Sequence, residues 1–211
     1  MGKCDPDGPI PMTWLRPPGP INPGMTIGLL GGSFNPAHDG HRYVAEMALK
    51  RLPLDYVWIL VSPQNPLKTL DGMMPLARRL QSAARMARGN RRLIVSGLEA
   101  TIKSRYTNDT VRVLKTRFPH LRFVWLMGSD NLEQFHRWQH WRDILNAVPA
   151  AVVLRPGFVL APLKAKAIKA MGERITIVDG RRNETSATAI RARGGEALAQ
   201  VIHSADLPTP I

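Results

Sequence analysis

The feature that most constrains this chain is an alternation. Short apolar runs bounded by turn residues take turns with stretches whose apolar side chains recur at helical spacing. Apolar runs at residues 25–30, 56–61, 93–95, 121–127, 150–154 and 175–178 predict strands. Between them, Val44, Met47, Ala48 and Arg51 mark a helix over 40–51, and Leu76, Leu80, Ala83, Ala84 and Ala87 mark a second. Val111, Leu114 and Phe118 mark a third, closed by Pro119, and further helices are predicted at 138–145, 163–171, 188–193 and 196–203. Strands that alternate with helices require crossover connections. The expected fold is therefore α/β and Rossmann-like, a mainly parallel sheet with helices on both faces. Ligands of such sheets bind beyond the carboxyl ends of the strands, where the strand order reverses.

The chain has 211 residues, enough for one core, so a single domain over 25–211 is expected. Seven prolines crowd residues 1–24, which read as a flexible N-terminal extension. A lone cysteine, Cys4, excludes an intrachain disulfide, and no apolar run approaches the ~20 residues of a membrane span. With no secretory signal pattern either, a cytoplasmic location is expected. The net charge of +13 favours anionic partners. Its basic residues are scattered in pairs such as Arg78-Arg79 and Arg181-Arg182, and no run of five like charges exists. Small phosphorylated substrates fit this pattern better than nucleic acid does.

The turn after the first strand reads Gly31-Gly32-Ser33-Phe34-Asn35-Pro36-Ala37-His38-Asp39-Gly40-His41. Gly31 and Gly32 have no Cβ, so a phosphate can approach the backbone and positive φ is tolerated. The turn feeds a helix N-terminus, whose free N–H groups and dipole attract anions. His38 and His41, three residues apart, share one helix face, and Gly40 leaves bare surface between them for a nucleotide. Two imidazoles beside a phosphate can donate hydrogen bonds to developing negative charge. The bland alternatives are a glycine-rich surface loop or a metal pair. No third ligand stands at a metal-binding spacing, and the pattern around Ser33 is not a nucleophile elbow.

This segment resembles the His-x-Gly-His signature of the nucleotidyltransferase superfamily. It is similar to the turn of the bacterial nicotinate-nucleotide adenylyltransferases, Gly-Gly-(Ser/Thr)-Phe-(Asp/Asn)-Pro-x-His-x-Gly-His. The resemblance runs from about Met25 to His203. Four other segments carry it. After strand two, Pro63-Gln64-Asn65-Pro66 leads to Lys68, where the family has a basic residue. Tyr106-Thr107-Asn108-Asp109-Thr110 is similar to the family's Tyr-Thr-x-Asp-Thr, in which the threonine backbone meets the nicotinate end of the substrate. Gly128-Ser129-Asp130 follows the strongest strand, with Trp138 and Trp141 downstream. Thr185-Ser186-Ala187-Thr188-Ala189-Ile190-Arg191 is similar to Ile-Ser-Ser-Thr-x-Ile-Arg, with Thr185 and Ala187 as departures. The Ala187 change removes one hydroxyl contact to phosphate. Each segment also has a plain reading: a solvated Lys68, a capped helix at 107, 130 or 186, and a core aromatic stripe at 138–141.

The resemblance implies transfer of AMP from ATP to nicotinate mononucleotide, giving deamido-NAD and pyrophosphate, with Mg²⁺ accompanying ATP. It implies catalytic roles for His38, His41, Lys68 and Arg191. The ATP site would comprise Gly31, Gly32, Ser33, Phe34, His38, Gly40, His41, Gly128, Asp130, Ser186, Thr188 and Arg191. The mononucleotide would meet Ser33, Asn35, Lys68, Thr107, Trp138 as stacking platform and Trp141 as its neighbour. No protein metal cage is expected, and the enzyme would be a monomer or a homodimer. The rival readings are a sibling enzyme acting on nicotinamide mononucleotide or phosphopantetheine and, more remotely, a non-catalytic basic RNA-binding protein.

Overall fold

The computed structural model describes residues 10–63, 72–102, 106–155 and 165–179. Six strands form one sheet: β1 (Thr26–Gly32), β2 (Tyr56–Val61), β3 (Leu93–Ser96), β4 (Arg122–Gly128), β5 (Ala150–Val153) and β6 (Ile175–Val178). Their order is β3-β2-β1-β4-β5-β6, with every pairing parallel. The sequence order therefore reverses between β1 and β4, and the crevice beyond their carboxyl ends is where a ligand is expected.

The four inner strands are buried on both faces, and this is why their runs are almost wholly apolar rather than alternating. One face packs Leu30, Val57, Ile59, Val124, Leu126 and Ala151 against α2 (Asp39–Arg51) and α3 (Leu76–Ala87). The other packs Ile27, Leu29, Trp58, Phe123, Trp125 and Val152 against α5 (Thr107–Arg117), α6 (Ser129–Phe135), α7 (Trp141–Ala147) and α8 (Lys166–Met171). The two sets interleave along each strand because successive side chains point to opposite faces. Three helices stop where sequence chemistry demands it. α2, α5 and α7 have Leu52, Phe118 and Val148 as C-caps with non-helical backbone, and each of these precedes a proline.

Three short elements escaped the sequence reading: α1 (Met12–Leu15), α4 (Glu99–Ile102) and α6. The helix expected over 138–145 is α7, which starts later, at Trp141, and it is set off from α6 by residues 136–140, where His140 adopts a left-handed backbone at φ 54°. The described part of the expected N-terminal extension, residues 10–24, lies on the domain. Ile10 and Trp14 pack against the core. The Trp14 carbonyl accepts from the Gly97 amide at 2.7 Å, and the Gly24 amide donates to the His120 carbonyl at 2.9 Å. Proline-rich sequence lowers the entropy lost on ordering, so a few such contacts hold it in place. The helices expected at 188–193 and 196–203 lie outside the described residues. No helix among the described residues is long and apolar enough to cross a membrane.

Candidate functional site

A cavity of about 660 Å³ opens at the carboxyl ends of β1 and β4, at the reversal of strand order. The turn after β1 forms one wall. Burial of the Phe34 ring, 1% exposed, anchors this turn, and Phe34 takes the left-handed backbone (φ 48°) that the sequence assigned to the glycines. Neither Gly31 nor Gly32 has positive φ. Gly31 is needed for packing: a Cβ there would lie 2.5 Å from Cη2 of Trp125. A side chain on Gly40 would lie 3.0 Å from the His38 ring and 3.4 Å from Cζ of Arg155, so its absence lets that guanidinium approach.

The paired histidines cap α2 reciprocally. The Gly40 amide donates to Nδ1 of His38 at 3.1 Å, and the His38 amide donates to Nδ1 of His41 at 3.3 Å. An imidazole nitrogen that accepts cannot carry a proton, so in each ring the proton sits on Nε2. The rings lie with centroids 3.9 Å apart, and His41 rests against Phe34 at 4.7 Å. Both line the cavity. The capping bonds thus fix two rings as Nε2–H donors.

Beneath the turn lies Arg79 of α3, 1% exposed. Its guanidinium donates to the carbonyls of Ser33 (2.9 Å), Ser62 (2.5 Å), Pro63 (2.8 Å) and Met74 (2.8 Å). It staples the loops after β1 and β2 to the start of α3, and burial pulls its pKa below the usual arginine value. The side-chain amide of Asn35 strengthens the same joint. Its Nδ2 donates to the Gly72 carbonyl and its Oδ1 accepts from the Met74 amide, each at 2.9 Å.

The opposite wall comes from β4, β5 and α6. Asp130 sits in the first turn of α6, and Gly128, not Asp130, is the N-cap. Oδ1 of Asp130 and Nε of Arg155 are 3.4 Å apart, and both are buried with no hydrogen-bond partner. A hydroxyl beside this pair can serve both atoms, donating to the carboxylate and accepting from the guanidinium. Trp138 reaches the cavity and is fixed edge-on by Trp125 and Phe135, at 6.1 and 5.3 Å. Trp141 does not line it: its ring packs on Phe135 and under Arg142, and its amide donates to the Trp138 carbonyl at 3.2 Å.

Behind Thr107, which lines the cavity, the carboxyl of Glu99 accepts from Oγ1 of Thr110 at 3.1 Å and is hydrogen-bonded by Ser62. Burial is the dominant influence and raises this carboxyl to about 7, against the weaker lowering effect of both hydroxyls.

The cavity therefore gathers Gly31, Gly32, Ser33, Phe34, Asn35, His38, His41, Thr107, Gly128, Asp130 and Trp138 from the sequence reading. Gly40 stands just behind its wall, and Lys68, Ser186, Thr188 and Arg191 lie outside the described residues. Glu99, Arg155 and the buried Arg79 were missed. The available signal was position: Glu99 follows β3, and Arg155 follows β5, at strand ends facing the same side.

Residues 29–193 match the cytidylyltransferase-like family. The chain is 48% identical to a probable nicotinate-nucleotide adenylyltransferase of Parvibaculum lavamentivorans, over 84% of this chain and 96% of that one. It is 46% identical to a protein of the same description from Gluconobacter oxydans, over 81% and 95%. The fold is shared with the nicotinic acid mononucleotide adenylyltransferase of Plasmodium falciparum complexed with NaAD, at TM-score 0.60 and 13% identity, over 80% of this chain and 79% of that one. A doubly wound sheet, a capped histidine pair at its switch point and near-full-length similarity to such enzymes agree: the chain belongs to the nicotinate-nucleotide adenylyltransferases of the cytidylyltransferase-like family.

Proposed function

We propose that this cavity transfers AMP from ATP to the phosphate of nicotinate mononucleotide. A mononucleotide phosphate oxygen attacks the α-phosphorus of ATP. The new P–O bond forms as the bond to the β-phosphate oxygen breaks, and pyrophosphate leaves with that electron pair. The nucleophile is already an anion, so no strong base is needed, and the protein's contribution is alignment and charge stabilisation.

The observation that carries this reading is the reciprocal cap. With both Nδ1 atoms held by backbone amides, His38 and His41 offer Nε2–H groups to the non-bridging oxygens of the reacting phosphates. Arg155 adds positive charge on the β5 side, and a nucleotide hydroxyl beside the pair accepts from its Nε and donates to the Asp130 oxygen. By the family resemblance, Lys68, Ser186, Thr188 and Arg191, which lie outside the described residues, would add further phosphate contacts. At the other end the nicotinate ring stacks on Trp138, and its carboxylate meets the N-terminus of α5 at Thr107, which has no side-chain cap competing for its amides.

No group of three His, Cys, Asp or Glu residues among the described ones could hold a metal, and Asp130 is the exposed carboxylate of the cavity. That donor set fits Mg²⁺ held chiefly by triphosphate oxygens and water, with Asp130 as the protein ligand within reach. The ion, when bound, would neutralise triphosphate charge. A cytoplasmic setting is supported by the lone cysteine.

Pyrophosphate release from ATP paired separately with nicotinate mononucleotide, nicotinamide mononucleotide and phosphopantetheine tests the reading. Turnover should be fastest with the acid mononucleotide. His41→Ala should lower kcat by roughly a hundredfold or more, and near-normal turnover in that variant would remove the histidine from the mechanism.

A further inference from the structure

The mechanism above leaves Glu99 unused. The residue is 7% exposed yet belongs to the cavity wall. It is held between two elements, by Ser62 just beyond β2 and by Thr110 in the first turn of α5. Ser62, Thr107 and Thr110 all line the cavity, so the carboxyl stands behind the helix end that receives the ring substituent in the proposed reaction. A carboxylate there opposes a second carboxylate, whereas a neutral carboxyl does not. A neutral amide is indifferent to the difference.

We infer that Glu99 is a specificity-determining positioning residue, which takes up a proton when a mononucleotide with an anionic ring substituent binds and disfavours that mononucleotide while it remains ionised. This rests on the adenylyl-transfer reading. The proton comes from solvent onto a carboxylate oxygen, and no covalent bond to substrate is made. Burial brings the neutral form within reach near neutral pH. The ionisable and charged neighbours on the packed elements are Arg16 after α1, Arg79 behind the Ser62 carbonyl, and Tyr106 and Asp109 on α5. Across the cavity stand His38, His41, Asp130, Arg137 and Arg155. Glu99→Gln leaves all of these in place, so the difference between variant and parent isolates Glu99.

The test is KM for each mononucleotide at saturating ATP between pH 6 and 8, in parent and Glu99→Gln. In the parent, KM for the acid form should rise, by up to about tenfold, while KM for the amide changes far less. In Glu99→Gln the rise for the acid form should flatten. The substrate phosphate also titrates near this range, but acid and amide forms share it, and so do parent and variant. Calorimetry of the parent near pH 7, in two buffers of different ionisation enthalpy, covers the case in which the variant does not fold. The acid form should bind with more proton uptake than the amide. Equal uptake, or the same acid-form profile in parent and variant, overturns the inference and leaves the reaction standing. If the acid mononucleotide neither binds nor reacts, the proposed reaction falls and the inference falls with it.

Discussion

A Cβ added to Gly31 would sit 2.5 Å from the indole of Trp125, a core ring that cannot yield. Gly31→Ala is therefore expected to destabilise the fold by about 1–3 kcal/mol, measured as a lower urea midpoint with unchanged slope. Glu99 gives a pH-dependent expectation. Its folded pKa is raised from 4.5 to about 7, so its contribution is fully present below pH 4.5 and is lost as pH rises through 7. Above that range the ionised group burdens the fold by on the order of 3 kcal/mol. Glu99→Gln should gain stability relative to the parent between pH 5 and pH 8, and denaturant curves at those two values check the sign. At this scale the histidine pair was legible because its spacing and its place after the first strand are local facts. Arg155 and Glu99 were not, because their importance depends on which strand ends lie side by side, and no single segment encodes that.

The elements were read well where burial dictates composition. β2 and β6 have the predicted ends, and α3 spans the predicted apolar stripe, because a strand covered on both faces must be apolar and an amphipathic helix must repeat. Short helices were lost. α1 and α4 have four residues each and α6 has seven, too few turns for periodicity to register. The staple between elements was also invisible, since Arg79 reads as one of two adjacent surface arginines. Its four carbonyl partners make Arg79→Met a severe change. The variant should lose more than about 3 kcal/mol, because charge-assisted bonds vanish and buried carbonyls lose their donor. Thermal unfolding of Arg79→Met against Arg85→Met, an exposed arginine of the same helix, provides the comparison.

For the molecule as a whole, the parallel order β3-β2-β1-β4-β5-β6 brings segments from across the chain to one crevice, and this is why motifs scattered in sequence gather in space. The net charge of +13 acts at the same scale. It should draw polyanionic nucleotides toward the crevice, so KM for ATP is expected to rise several-fold as salt shortens the Debye length from ~10 Å at 0.1 M to ~3 Å at 1 M. A further consequence follows from how the leading segment is moored. The Trp14 carbonyl accepts from the Gly97 amide, and it also accepts from the Ser96 hydroxyl, whose oxygen in turn receives the Leu98 amide at the threshold of α4. Trimming the chain up to residue 16 would leave the imidazoles' caps in place but uncover the β3 edge of the sheet and unmoor the neighbourhood of Glu99. Fidelity between acid and amide would then decay before speed does.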